Sequence, residues 1–98
     1  MYGTVAHLRV KPGQHQGIID YVAYWRTERR PQTPGAVGGY AYRLDSDPNA
    51  WVFAIAFEDR ASYEANARSP QMDADYRRLR ALLEEDPIWQ DGEILAGF

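Results

Sequence analysis

Seven consecutive residues, Trp51-Val52-Phe53-Ala54-Ile55-Ala56-Phe57, are all apolar. In a strand, successive side chains point to opposite faces. Trp51, Phe53, Ile55 and Phe57 therefore share one face, and Val52, Ala54 and Ala56 share the other. An antiparallel sheet with one face in water alternates apolar and polar residues. This segment does not alternate, so a fold built on it must cover both faces.

The flanking sequence supplies three more strands and two helical segments. Tyr2 to Val10 alternates, with Val5, Leu8 and Val10, and stops at Lys11-Pro12-Gly13, a strong turn signal. From Gln14 to Arg30, Ile18, Val22 and Trp25 recur at helical spacing, with Ile19 and Ala23 alongside. Arg26, Arg29 and Arg30 fall in the last turns, where positive charge suits the helix dipole, before Pro31 and Thr33-Pro34-Gly35 end the helix. Val37 to Leu44 reads as the second strand, with Tyr40, Tyr42 and Leu44 on one side. Asp45-Ser46-Asp47-Pro48-Asn49 is dense in turn formers and predicts a hairpin loop.

Asp59 suits the N-cap of a helix through Ser62, Tyr63, Ala65 and Asn66. Ser69-Pro70 restarts it, with Ser as cap and Pro at the first helical position. Met72, Tyr76, Leu79 and Leu83 form the buried stripe of this next helix, Leu82 widens it, and Asp86-Pro87 closes it. Ile88 to Phe98 gives a last strand with a turn or bulge at Asp91-Gly92. The order βαββαβ over 98 residues predicts one domain, residues 1–98, of α+β ferredoxin-like type. Such a domain is a four-stranded antiparallel sheet with helices on one face only.

One layer of helices leaves the other face of the sheet bare. The sequence does not fix which face that is. Three aromatics of about 150–250 Å² each account for more than half of the ~800 Å² that a partner buries in a standard interface. A monomer rarely leaves such a patch in water. A homodimer through the open sheet face is expected.

Composition narrows the functional classes. The formal net charge of -3 argues against a general phosphate-binding surface, and nucleic acid is not an expected partner. The chain has no cysteine, which excludes disulfides and thiolate metal sites. No apolar run is long enough to span a membrane, and Met1 to Ala6 lacks the character of a signal peptide, so the cytoplasm is the expected location. The βαββαβ order is also that of RNA-recognition modules, but the third strand lacks their glycine and basic residue.

The opening strand with Lys11-Pro12-Gly13, the long helix, and the run from Phe57 through Ala61, Tyr63, Asn66 and Ser69-Pro70 resemble the antibiotic biosynthesis monooxygenase-like proteins of the dimeric α+β barrel superfamily. The resemblance covers nearly the whole chain. It implies two ferredoxin-like protomers packed sheet to sheet. It also implies one of several possibilities: cofactor-free oxidation of aromatic polyketides by O₂, haem degradation, or no known reaction.

The haem-degrading branch uses an Asn, a Trp and an axial His at positions that align here with Ala6, Asn66 and Tyr76, and none of the three matches. Cofactor-free oxygenation instead needs a closed apolar cavity and a hydrogen-bond donor for a substrate anion. Asn66 and Tyr76 are the candidate catalytic donors. Trp25, Phe57, Met72 and His7 are candidate contacts to a small hydrophobic or aromatic ligand. His7 lies on the strand face opposite Leu8 and Val10, so it points to the partner if those two meet the helices. His15, at a helix start, reads as solvated, and no metal site is expected from two histidines so placed. The resulting reading is a cofactor-independent monooxygenase-like protein; the competing one is a dimeric ligand-binding or accessory protein without turnover.

Overall fold

The helices cover the aromatic face of the all-apolar strand. In the computed structural model, which describes Met1–Phe98, the elements are β1 (Tyr2–Arg9), α1 (His15–Tyr24), β2 (Ala36–Leu44), β3 (Asp47–Phe57), α2 (Arg60–Ala67), α3 (Pro70–Arg80) and β4 (Ile88–Glu93). A π-helical turn, Trp25–Arg29, and a 3-10 turn, Arg30–Gln32, extend α1. The four strands make one antiparallel sheet in the order β2-β3-β1-β4, the ferredoxin-like arrangement.

Register places the core. Leu8 pairs with Trp51 and Ala6 with Phe53 across β1 and β3. These side chains pack with Val10, Ile18 and Tyr21, and with Leu79 and Leu83 from the α3 side. That cluster fills the end of the sheet where β1 finishes. Towards the start of β1 the row is Gly39, Ile55, Thr4 and Asp91, with much less side-chain bulk, and here the helices and sheet stand apart.

The two predicted caps form. The Asp59 carboxylate accepts from the Ser62 N–H at 2.7 Å, and the Ser69 hydroxyl accepts from the Met72 N–H at 3.1 Å. The Asp59 carboxyl is held below the usual range by these Ser62 hydrogen bonds.

Several boundaries differ from the sequence reading, each for a tertiary reason. The hairpin turn is only Asp45 and Ser46, because Asp47 already pairs with Leu44 and is bound by Arg9 at 2.6 Å. Pro31 sits inside the 3-10 turn rather than ending the helical segment. The last helix stops at Arg80, not at Asp86, because the following residues pair with β1. Lys11 N–H donates to Leu82 O, Glu84 N–H donates to Arg9 O, and Val10 bridges Leu83. β4 runs straight through Asp91-Gly92, which pair with Thr4 and Gly3, and it ends at Glu93. His15 is half-buried rather than fully solvated: its Nε2 is 3.0 Å from Asn49 Oδ1, and its ring stands edge-on to Trp51.

The face without helices carries Val5, His7, Tyr40, Tyr42, Val52, Ala54, Ile88 and Gln90. The three β3 aromatics that suggested a partner are thus used inside the domain. Val5, Tyr40, Tyr42 and Ile88 replace them as exposed apolar area, and Tyr40 is 81% exposed.

Leu79 is 1% exposed in the centre of the core. Leu79→Ala is expected to cost about 2–5 kcal/mol through lost burial and the cavity left behind. Urea denaturation with an unchanged m-value checks this.

Candidate functional site

The gap at the glycine-containing end of the sheet is a cavity of about 980 Å³, with 16 hydrophobic residues among the 28 that line it. This is the size and character of small-molecule sites. Trp25, Phe57, Asn66, Met72 and Tyr76 all line it. His7 does not: it lies on the far side of the sheet, with its Nε2 3.0 Å from Gln90 Oε1.

The π-helical turn aims several of these groups. Such turns are rare and recur at functional sites. Here the turn brings Trp25, Arg26 and Arg29 towards α2 and α3, with the Arg29 guanidinium 5.3 Å from the Trp25 ring centroid. Arg29 Nε donates to Asp75 Oδ2 at 2.6 Å, and both side chains are nearly out of water, at 12% and 6% exposure. The Tyr24 hydroxyl donates to the other Asp75 oxygen at 2.8 Å. That hydrogen bond raises the Tyr24 phenol above its ordinary range.

The same guanidinium orients Asn66. Arg29 Nη2 donates to Asn66 Oδ1 at 3.4 Å, and a guanidinium can only donate, so the amide oxygen must face it. The amide nitrogen then faces Met72, donating to its sulfur at 3.6 Å. A thioether is a weak acceptor. The arrangement leaves Asn66 a fixed donor for any better acceptor in the cavity, such as an oxyanion. Sequence reasoning found Asn66 but missed Arg29 and Asp75. The available signal was Asp75 itself, three residues after Met72 and four before Leu79, an acid on the apolar stripe.

Charge around the cavity is uneven. The lining acids Glu64 and Asp73 are paired with Arg60 and Arg77. The lining arginines Arg26, Arg30 and Arg68 are exposed and carry no ion pair. Arg30 lies beside Gly38, whose φ of 142° accommodates a bulge in β2 and whose missing Cβ leaves room for the guanidinium. Elsewhere in the lining, the Tyr63 hydroxyl donates to Asp91 Oδ1 at 2.8 Å. Burial, followed by this hydrogen bond, pushes the Tyr63 phenol up to about 12, so it remains a neutral donor at ordinary pH.

The sequence profile described as antibiotic biosynthesis monooxygenase matches residues 1–78. Among solved structures, the chain superimposes on a provisionally assigned antibiotic biosynthesis monooxygenase from Bordetella bronchiseptica with a TM-score of 0.82 at 16% identity, covering 97% of each chain. A provisionally assigned protein of the same description from Nitrosomonas europaea gives 0.77 at 17% identity, over 98% of this chain and 100% of that one. A protein of unknown function from the same organism gives 0.78 at 23% identity, over 99% of this chain and 91% of that one. At these identities the likeness is one of fold. No curated protein matches the chain.

Removing one partner of a buried ion pair strands the other charge. Asp75→Leu and Arg29→Met are each expected to cost about 3–5 kcal/mol. The double variant Arg29→Met with Asp75→Leu should cost less than the sum of the two sites' single changes, and urea denaturation of the double-mutant cycle measures the difference.

Proposed function

The chain belongs to the antibiotic biosynthesis monooxygenase family, and from that premise we propose that it is a cofactor-independent monooxygenase acting on an aromatic, polyketide-type small molecule. The observation that carries this reading is Asn66, held by Arg29 as a donor on an otherwise mostly apolar cavity of about 980 Å³. A substrate phenol or enol loses a proton, and its anion passes an electron to O₂. In the net reaction of an anthrone-type ring, the methylene carbon becomes a carbonyl, one oxygen atom enters the product, and the other leaves as water with the two methylene hydrogens.

The protein's part is to favour the anion. Asn66 donates to the developing oxyanion, and preorganised donors of this kind contribute about 10²–10³ in rate. Arg26, Arg30 and Arg68 add positive potential at the cavity with no carboxylate of their own to neutralise them. Trp25 and Phe57 supply apolar surface for a flat ring system. Tyr76, half-buried on α3, is a second donor.

Oxygen uptake with anthrone tests the reaction. The wild-type protein is expected to consume O₂ and form anthraquinone, and Asn66→Ala is expected to lose about 10²-fold or more of the rate. Anthrone that binds without O₂ consumption would instead identify a ligand-binding protein that uses the same cavity without turnover.

The homodimer belongs to the same reading. Val5, Tyr40, Tyr42 and Ile88 give the helix-free face an exposed apolar surface, with His7 and Gln90 as a polar pair within it. A second copy seated face to face would cover it. Sizing chromatography should give twice the chain mass of 11.2 kDa. Tyr40→Glu should shift the protein to a monomer while leaving its secondary structure intact.

A further inference from the structure

Thr4 holds the single buried side-chain polar atom of the protein that lacks a hydrogen-bond partner. The residue is 5% exposed and lines the cavity from the helix-facing side of β1. Buried hydroxyls normally find partners, and each exception calls for an explanation. The neighbours of Thr4 point to one.

Thr4 pairs directly with Asp91 across β1 and β4. Tyr63, on α2, donates to Asp91 Oδ1. A side-chain interaction with Thr4 opposes the rise in the Tyr63 pKa, while no donor or acceptor meets the Thr4 hydroxyl at hydrogen-bond geometry. The three oxygen-bearing side chains therefore sit together on the cavity wall. Of the three carboxylates lining the cavity, only Asp91 has no arginine partner. Asp91 also lies beyond residues 1–78, the segment matched by the family profile.

We propose that Thr4, Tyr63 and Asp91 form a second polar subsite of this cavity, one that selects ligands carrying a phenolic hydroxyl. An ionised carboxylate only accepts, and Tyr63 occupies one of its two oxygens. The Thr4 hydroxyl can both donate and accept. The ligand group that satisfies both residues is one that also does both: it donates to Asp91 and accepts from Thr4. A ligand carboxylate is repelled by Asp91, and an ether cannot donate to it.

The subsite also sets an orientation. In the sheet row Gly39-Ile55-Thr4-Asp91, the β2 end lies near Arg30 and the β4 end is this subsite. Three strand spacings separate the ends by roughly 14 Å. A fused-ring ligand lying across the strands meets cationic groups at one end and the hydroxyl-selecting group at the other.

This inference rests on the reading that the cavity takes an aromatic ligand. The test is calorimetric titration of the intact protein at neutral pH with two probes, 2-naphthol and its methyl ether, 2-methoxynaphthalene. Wild type is expected to bind 2-naphthol at least about tenfold more tightly, since only 2-naphthol can donate to the Asp91 carboxylate. Thr4→Val keeps the side-chain shape, and Asp91→Ala changes an exposed residue. Asp91→Ala should reduce the preference to about threefold or less, and Thr4→Val should weaken both probes by about threefold or more, because both ligand oxygens can accept from Thr4. Equal affinities in wild type, an undiminished preference in Asp91→Ala, or unchanged binding of both probes in Thr4→Val would overturn the subsite and leave the cavity reading standing. If neither probe binds wild type, the cavity reading falls and this inference falls with it.

Discussion

The ion pair between Arg29 and Asp75 ties the helical extension of α1 to α3, and the arrangement of the cavity depends on it. Taking both charges out of water is costly, and attraction alone seldom compensates without further hydrogen bonds. Here the remaining valences are used. Tyr24 binds the second Asp75 oxygen, Arg29 Nη1 reaches Thr33 Oγ1 at 3.4 Å, and Arg29 Nη2 reaches Asn66. An apolar pair of similar volume could equally join the two helices. It could not hold the Asn66 amide with its oxygen turned away from the cavity. The pair's contribution is direction, and a functional donor needs direction more than it needs stability.

A cavity of this size is a departure from close packing in a chain of 98 residues. The sheet tolerates it by dividing its helix-facing side. Leu8, Val10, Ile18 and Leu83 pack one end and are at most 3% exposed. The other end carries Thr4, Gly39 and Ala36, whose small side chains leave space under the helices. Phe53, Tyr21 and Leu79 belong to both the core and the cavity wall. Large-to-small changes at these three positions therefore alter ligand space and stability together.

Local chemistry made the fold readable and long-range pairing made some of it unreadable. The Asp59 and Ser69 caps each depend on a residue three positions away, and both were legible. So was the sidedness of β3, which follows from alternation alone. The turn at Asp45-Ser46, the helix end at Arg80 and the straight course of β4 are set by contacts with β1, far along the chain. Five of the six candidate site residues line one cavity, because helical spacing and the βαββαβ order place them there. Arg29 and Asp75 were hidden for a plain reason: 46 residues separate them, and an arginine at a helix end looks like ordinary dipole compensation.

The two sides of the sheet are separate in most places, but not at the edge strand β2 and the adjoining residues Thr4, Ile55 and Ala56. Residues far apart with no shared partners affect stability and binding independently. His7 and Ile88 on the open face satisfy that condition relative to Asn66 and Tyr76. Arg30, Gly38, Gly39 and Tyr40 do not, because they line both the main cavity and a second depression of about 720 Å³ that includes Val5, Ala54 and Ala56 of the open face. A second copy seated on the open face would press on Tyr40 and the Gly38 bulge, and through them on the place where Arg30 rests. Association and ligand binding would then be coupled at this edge. By thermodynamic reciprocity, any ligand that engages Arg30 would change the dimerisation constant by the same factor as dimerisation changes its affinity.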